Sequence, residues 1–395
     1  MKEKLLSLLK VSRLQLGVAA GLFVAAVLYI FRLGSAPAHM SQGEFATYHN
    51  NFHLHQILRN PLNAPYKLID YAMLHIFGHT VAAARLTSVV FALIAVVLFF
   101  NIMLRWHGKR TAWLATFLFA TSGWLLHVGR LGTGAVTWVV LPLALILLGS
   151  WLSRTEKSGW AMIILALSFG IILFVPAAIW FVVVYALLLR QDIGEHMKES
   201  EHAQRIIAAI IFLVLVGALA FSLYSSPDLV RPWLGLPHMM PHLVNGVHVW
   251  ISSLLLYLFA RGPYSPEIWL GHAPILDVFV TAMFLLGAYF YITHFRNLRA
   301  FTLATFTIIG SVLTALNGAL AMSFLVPLAY LIAATGLTYL LREWMTVFPR
   351  NPVARTVGVA LVTLAVASTA AYHLTSYFVA WQHNPATVRT FQRKP

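Results

Sequence analysis

Long apolar segments, separated by short polar ones, follow one another along most of this chain. Each is close to the roughly 20 residues that a helix needs to cross the hydrocarbon core of a bilayer. We predict spans at 14–33, 82–104, 112–129, 135–153, 160–174, 176–190, 206–224, 273–293, 300–318, 321–341 and 357–380. The pattern therefore predicts an all-α polytopic membrane protein with about 11 transmembrane helices.

The apolar run from Trp160 to Arg190 is the least regular of these segments. It is long for one helix, and Pro176 lies near its middle. Proline removes a backbone donor and kinks or ends a helix. We interpret the run as two short passes that meet at 174–177. One long kinked helix is the alternative.

Two polar segments, 34–81 and 225–272, are much longer than the other connections, and loops of more than about 15 residues tend to be functional. The first segment predicts two amphipathic helices at the membrane interface, one from 41 or 42 to about 58 and one from about 66 to 77. In the second, the apolar stretch 247–259 is too short to span and predicts an interfacial or re-entrant helix. The chain, 1–395, is predicted to be a single integral membrane domain.

Composition agrees with a membrane protein, because 60% of the residues are hydrophobic and only 10% are charged. Soluble domains carry about 25% charged residues, so a water-soluble globular enzyme is excluded. The chain contains no cysteine, which excludes a cysteine nucleophile or thiolate metal site.

The formal net charge is +15, from 27 Lys and Arg against 12 Asp and Glu. Such a balance indicates either a nucleic-acid ligand or cationic cytoplasmic loops. Most cations fall on one side of the predicted spans: Lys2, Lys4, Lys10, Arg13, Arg105, Lys109, Arg110, Arg154, Lys157, Arg190, Lys198, Arg205, Arg296, Arg299, Arg342, Arg350 and Arg355. We therefore reject nucleic acid as a partner. We predict a plasma (cytoplasmic) membrane protein with a cytoplasmic N-terminus and both long segments outside.

Acids are scarce in the first long segment. Glu44 is the single acid of the first predicted helix in this segment, and Asp70 is the single acid of the second. A carboxylate at the membrane surface can act as a general base when an acceptor hydroxyl comes within hydrogen-bond reach. The structural alternative for Glu44 is a helix N-terminal charge that interacts favourably with the helix dipole.

Three cations fall at the predicted outer boundary: Arg130 at the end of the third span, Arg85 just inside the second span, and Lys67 near the candidate carboxylates. A guanidinium matches phosphate oxygens in a fork, which makes Arg130 a candidate phosphate ligand. Snorkelling of its side chain to the surface is the alternative.

Histidines cluster at His49, His53 and His55. His49 and His53 share a helix face, but a zinc site needs three or four ligands, and the chain has 17 histidines in all. We interpret the cluster as ordinary interfacial histidines and predict no metal and no other cofactor. His53 remains a candidate substrate-binding residue. The second segment holds further polar and aromatic residues, which suit either an aromatic belt or stacking on a sugar or prenyl group.

The order of these features resembles the membrane glycosyltransferases of the C-type fold, in the branch with protein O-mannosyltransferases and the lipid A aminoarabinose transferase. The resemblance covers roughly residues 14–190 and lies in an ordered set of short motifs. These are Gly43-Glu44-Phe45-Ala46-Thr47-Tyr48, Asn63-Ala64-Pro65-Tyr66-Lys67, Phe77-Gly78, Ala84-Arg85-Leu86, Gly108-Lys109-Arg110, Ala120-Thr121-Ser122 and Arg130.

The resemblance implies transfer of a sugar from a polyprenyl-phosphate donor to a glycan, lipid or protein acceptor at the outer membrane face. It implies a catalytic role for Glu44 and phosphate contacts for Lys67 and Arg130. The remaining substrate-binding candidates are Arg85, Asp70 and His53.

Two acids that are frequent in the family are absent from this chain. The family's early acid often belongs to an Asp-Glu pair, whereas Gly43 precedes Glu44 here. A further Asp often follows the Arg that ends the third span, and here Thr133, Gly134 and Ala135 occupy that stretch. Two alternatives therefore stay open: a transporter or flippase for lipid-linked sugars, and a catalytically inactive relative that acts as an assembly subunit.

Overall fold

The structure, a computed structural model, describes residues 13–156, 158–237 and 243–394 of the 395-residue chain. These residues are mainly helical, and an isolated antiparallel bridge joins Met40 to Arg393. Lys2, Lys4, Lys10 and Lys157, which the sequence assigns to the cationic side, lie outside the described residues.

The first half of the chain holds eleven α-helices among its described residues. They are α1 Arg13–Ile30, α2 Gln42–Asn51, α3 Leu54–Arg59, α4 Ala64–Phe77, α5 Val81–His107, α6 Lys109–Ala120, α7 Gly123–Gly129, α8 Val136–Leu152, α9 Gly159–Ile172, α10 Ala178–Leu188 and α11 Arg190–Glu199.

The second half adds α12 His202–Ser225, α13 Val230–Leu234, α14 Leu243–Phe259, α15 Val278–Thr293, α16 Leu298–Asn317, α17 Leu325–Val347, α18 Pro352–Thr375 and α19 Pro385–Thr390. Short 3-10 turns cover Pro227–Leu229 and Ala319–Phe324, and a π-helical turn covers Ser376–Trp381.

Within the described ranges, five helical stretches are long and apolar enough to cross a membrane: Val81–His107, His202–Ser225, Leu298–Asn317, Ala319–Val347 and Pro352–Trp381. The bent pair α6–α7 makes a sixth if it counts as one span, and α1, α8, α9, α10, α14 and α15 are shorter apolar helices. The prediction of an all-α polytopic membrane protein is confirmed.

The run 160–190 forms two short apolar helices, α9 and α10, rather than one long kinked helix. Helices α9 and α10 are separated by a turn, and α11 returns to the start of α9. There His196 Nδ1 lies 3.3 Å from Ser158 N, and His196 Nε2 lies 3.1 Å from Leu152 O. The end of α10 therefore lies beside the start of α9, as an antiparallel pair requires.

Both long polar segments lie at the same face. Ser41 in the first segment donates to Glu267 in the second, and Asn63 N donates to the carbonyl of Phe174 in the α9–α10 turn. Trp233 Nε1 donates to Leu173 O in that turn. We call this the segment face; the α5–α6, α15–α16 and α17–α18 turns lie at the opposite face.

The structure differs from the prediction at three helices. The span 112–129 bends by 59° between α6 and α7, where α6 ends at Ala120 and the hydroxyl of Ser122 accepts from Leu125 N as the N-cap of α7. The first interfacial helix is not continuous to 58, because His53 is extended and separates α2 from α3. The span predicted to start at 273 starts at Val278, where the carboxylate of Asp277 caps α15.

Helices α15 and α17 pack at close range through Gly287 and Gly336. A Cβ on either glycine would collide with a backbone carbonyl of the partner helix, Ile332 O or Met283 O. Small residues permit such backbone approach between membrane helices. This packing holds the α15–α16 turn against the end of α17 at the opposite face.

Candidate active site

A buried ion pair joins the first polar segment to α5. Arg85 Nε lies 2.7 Å from Glu44 Oε1, and Arg85 Nη2 lies 2.9 Å from Glu44 Oε2. Both side chains are 1% exposed. Two parallel charge-assisted bonds fix orientation as well as charge. The sequence analysis selected both residues separately as candidates at the outer boundary, and the structure brings them together.

The remaining bonding capacity of Glu44 is used by backbone donors. Gly132 N donates to Oε1 at 2.8 Å, and Ser41 N donates to Oε2 at 3.0 Å. The Ser41 bond belongs to a capping box, since Ser41 Oγ accepts from Glu44 N in return. A carboxylate accepts about four hydrogen bonds, so this one is saturated.

Arg85 also organises the chain before α2. Its Nη1 donates to the carbonyls of Leu33 and Pro37, and its Nη2 donates to that of His39. The guanidinium thus satisfies three carbonyls of a partly buried loop, which would otherwise be costly to desolvate. In this arrangement Glu44 and Arg85 hold the first segment in place.

A second carboxylate, that of Glu267 in the other polar segment, lies close to Ser41. Ser41 Oγ lies 2.5 Å from Glu267 Oε1, and Glu267 is only partly buried. Burial raises the pKa of Glu267, the bond from Ser41 opposes that shift, and the negative charge of Glu44 adds to it. Ser41 therefore links two acids that are more than 200 residues apart, Glu44 through its backbone and Glu267 through its hydroxyl.

Gly43 provides the space that Glu267 occupies. A Cβ on Gly43 would lie 2.7 Å from Glu267 Oε1, closer than non-bonded atoms approach. The carboxylate of Glu267 therefore lies beside the position that precedes Glu44 in the chain. Sequence reasoning gave Glu267 no role. The available signal was the bare glycine before Glu44 together with an acid in the other long segment.

An aromatic cluster packs behind the loop that carries Glu267. Trp381 Nε1 donates to Pro266 O at 3.0 Å, and Trp269 Nε1 donates to Ala273 O at 2.7 Å. The His127 ring packs between Trp269 and Trp381, with centroid distances of 5.2 and 4.6 Å. These contacts fix the residues on both sides of Glu267.

Next to this cluster, Asp277 and His373 form an acid–imidazole contact. Asp277 Oδ2 lies 3.0 Å from His373 Nε2, while Oδ1 accepts from Phe279 N and Val280 N. With Gly123, His127 and Trp269, His373 lines a small cleft. Sequence reasoning did not select Asp277 or His373 for the site.

The guanidinium of Arg130 donates to protein acceptors, whereas the predicted phosphate role needs donors that are available to a ligand. Its Nη1 donates to Leu28 O and Tyr29 O, and its Nη2 donates to Phe31 O, so it binds carbonyls at the C-terminal end of α1. Its Nε lies 3.1 Å from Tyr377 Oη. Carbonyls at a helix end need such donors, and the guanidinium supplies them. The phosphate role of Arg130 stays a prediction.

The other predicted substrate contacts have separate partners. Lys67 is partly buried and donates to Asn60 O at 2.7 Å, and burial lowers its pKa to about 8. Asp70 is buried and accepts from Asn51 Nδ2 and Thr87 Oγ1; burial raises its pKa to about 6.

His53 is exposed at the start of α3 and stacks on His55 with a centroid distance of 5.3 Å. Among the described residues no group of three or more His, Asp and Glu side chains is placed to hold a metal ion.

The fold is that of the C-type membrane glycosyltransferases. The structure is similar to that of ArnT from Cupriavidus metallidurans in the apo state, with a TM-score of 0.59 and 14% identity over 96% of this chain and 78% of that one. The same enzyme bound to undecaprenyl phosphate gives a TM-score of 0.53 at 12% identity, over 95% and 77% of the two chains.

It is also similar to the archaeal oligosaccharyltransferase AglB from Archaeoglobus fulgidus in complex with an inhibitory peptide and a dolichol-phosphate. That comparison gives a TM-score of 0.56 and 12% identity, over 96% of this chain and 56% of that one. The sequence matches no protein-family model and no curated protein. At these identities the likeness establishes the fold, and the resemblance predicted from the sequence is confirmed at that level.

Proposed function

We propose that this protein is a membrane glycosyltransferase that moves a sugar from a polyprenyl-phosphate donor to an acceptor hydroxyl. The observation that carries the proposal is the pair Glu44 and Glu267, which Ser41 joins where the two long segments meet. The fold supports the donor class, because structures of similar fold hold undecaprenyl phosphate or dolichol-phosphate.

In the proposed reaction the acceptor oxygen attacks the anomeric carbon as the bond from that carbon to the phosphate oxygen breaks. The phosphate oxygen keeps the electron pair and leaves as polyprenyl phosphate. The acceptor proton passes to a carboxylate. A single displacement of this kind inverts the anomeric configuration. The leaving group is already anionic, so a nearby cation aids its departure more than an acid does.

Glu267 is the better candidate for the proton acceptor. Glu44 has four hydrogen bonds and almost no exposure, so an acceptor hydroxyl would have to displace one of its partners. Glu267 is partly exposed, and a raised pKa makes its ionised form a stronger base. In this proposal Glu44 is a positioning residue that holds Ser41, and through it Glu267. The sequence-based assignment of Glu44 itself as the base stays a prediction.

Lys67 is the proposed phosphate contact among the cations of the segment face. It is partly exposed, and the hydrogen bond from its ammonium group to the Asn60 carbonyl can be exchanged for a phosphate oxygen without breaking an ion pair. Arg85 and Arg130 are each held by several protein acceptors and would act on the donor only by giving some of them up.

The proposed orientation places the segment face outside the plasma membrane. Exposed cations lie at the short turns of the opposite face, at Lys109, Arg110, Arg296 and Arg350. The positive-inside rule assigns such turns to the cytoplasm, together with the N-terminus. The sugar would then be transferred after the lipid-linked donor has reached the outer leaflet.

Mass spectrometry of surface glycans and lipid-linked sugars, in cells with and without the gene, tests this function. Loss of one glycan structure with accumulation of its lipid-linked donor in the outer leaflet is the expected result. Accumulation of the donor in the inner leaflet would instead indicate a flippase. The exposed acid Asp228 provides a control at the segment face, and Asp228→Asn should restore the glycan as well as the wild type does.

A second candidate function has one specific observation in its favour. Glu44, Arg85 and Arg130 all have protein partners that fix the fold, as expected for a catalytically inactive relative that serves as an assembly subunit. If Glu267→Gln restores the glycan of the deletion strain fully, while a variant that unfolds does not, this candidate is favoured over the enzyme.

A further inference from the structure

A large cationic cavity lies at the opposite face from the acids described above. It has a volume of about 720 Å³ and lies between the α5–α6 turn, the α15–α16 turn and the end of α17. This volume is in the range of small-molecule sites, about 300–1,000 Å³. Arg85 and His107 are near opposite ends of α5, which puts the cavity about 33 Å from the ion pair by the helical rise.

The charge of the cavity has one sign. Lys109, Arg110, Arg299 and Arg342 line it, and no acidic residue of the described part of the chain does. Two helices, α6 and α16, begin there at Lys109 and Leu298, so their N-terminal dipole ends add positive potential. Cations are expected at cytoplasmic turns in general, but here four from three parts of the chain line one space between helices.

The inner wall of the cavity is polar and ordered. Thr335 Oγ1 lies 3.2 Å from His107 Nε2 and 2.9 Å from Tyr291 Oη. The Arg299 guanidinium lies over the Trp106 ring, with its Cζ 5.2 Å from the ring centroid. Apolar side chains, including Phe290, Leu341 and Met345, complete the lining. The cavity thus combines cations, hydroxyl groups and apolar walls.

We propose that this cavity binds a phosphate-bearing anion. Arg and Lys supply charge and donors for phosphate oxygens. The apolar lining accommodates what the phosphate is attached to. Two sources share this chemistry: the headgroup of an anionic lipid in the adjacent leaflet, and a soluble phosphate compound. The proposal is independent of glycosyl transfer, because the cavity and the acids lie at opposite faces.

Binding is tested on the purified full-length protein by native mass spectrometry after delipidation, with phosphatidylglycerol, phosphatidylcholine and inorganic phosphate as separate probes. The test variant is Lys109→Gln/Arg342→Gln, since both side chains are exposed and their loss should leave the fold intact. The matched control, Lys198→Gln/Arg296→Gln, removes the same charge from exposed residues of the same face that do not line the cavity.

We expect binding of phosphatidylglycerol or of inorganic phosphate to weaken at least tenfold in the test variant and less than twofold in the control. Phosphatidylglycerol as the tighter probe identifies a lipid headgroup, and inorganic phosphate as the tighter probe identifies a soluble ligand. Equal weakening in both variants, equal binding of phosphatidylcholine and phosphatidylglycerol, or no binding of any probe would overturn the proposal.

Discussion

Glu267 Oε1 lies 2.7 Å from the point where a Cβ on Gly43 would stand. The residue before Glu44 has no side chain, and a carboxylate from the second polar segment occupies the adjacent space. The two segments therefore build one acidic site together, with Ser41 bonded to both acids.

Gly43→Ala should lower the transfer activity without lowering the stability of the fold. The new methyl group displaces the Glu267 carboxylate, which is the end of a flexible side chain, so the fold absorbs the change at little cost. Alanine in a helix is also favoured over glycine by about 1 kcal/mol. We expect the melting temperature to stay level or rise while glycan transfer falls at least tenfold. Gly194→Ala, where a Cβ meets open space, is the matched control and should leave transfer unchanged. Full transfer by Gly43→Ala would count against Glu267.

Glu44→Gln should destabilise the protein. The substitution leaves the Arg85 guanidinium buried without its counter-charge, and breaking a buried pair in this way costs about 3–5 kcal/mol. Thermal unfolding of the detergent-solubilised protein measures the effect. Glu267→Gln should lower stability by much less, because Glu267 is partly exposed. Wild-type stability of Glu44→Gln would show that the pair does not hold the first segment.

Asp70→Asn should remove part of the pH dependence of stability. Burial raises the pKa of Asp70 to about 6 in the folded protein, so its neutral form is favoured there. The stabilisation from this carboxyl is present below about pH 4 and is lost as the pH rises through about 6. The asparagine variant, uncharged throughout, should gain up to roughly 3 kcal/mol relative to wild type between pH 4 and pH 7. Thermal melts at both pH values test this, and parallel pH profiles would contradict it.

Deprotonation of Lys67 should lower sugar transfer at alkaline pH. Because burial lowers its pKa to about 8, the ammonium loses its charge as the pH rises through that value. The proposed phosphate contact then weakens, and donor affinity should fall about tenfold between pH 7 and pH 9. Lys67→Arg stays charged and should keep its affinity at pH 9. An alkaline fall of the same size in Lys67→Arg would remove Lys67 from the donor site.

The membrane spans could be predicted because the bilayer imposes a length and a composition on each helix. The 160–190 run was interpreted correctly as two helices, because Pro176 lies in the turn between α9 and α10. The bend between α6 and α7 was missed because its cause is local capping: Ser122 bonds Leu125 N inside an otherwise apolar run.

The site was harder to predict, because its two acids come from segments far apart in sequence. Glu44 and Arg85 could be selected as rare charges at one membrane boundary, and they meet. Arg130 was selected by the same rule, but its guanidinium binds the carbonyls at the end of α1. Counting the charges along the sequence locates such residues, but it does not distinguish a residue that contacts a ligand from one that caps a helix. Glu267 required knowledge of how the second segment folds back onto Ser41.

The transfer activity of Glu267→Gln tests the central claim most directly. The variant is expressed in the deletion strain, and its product glycan is measured beside Asp228→Asn, with membrane insertion and thermal stability checked for both. Loss of a general base slows such reactions by about 10²–10⁴-fold, so we predict at least a hundredfold loss of transfer with normal folding. Transfer at the wild-type rate by a folded Glu267→Gln protein would contradict the account.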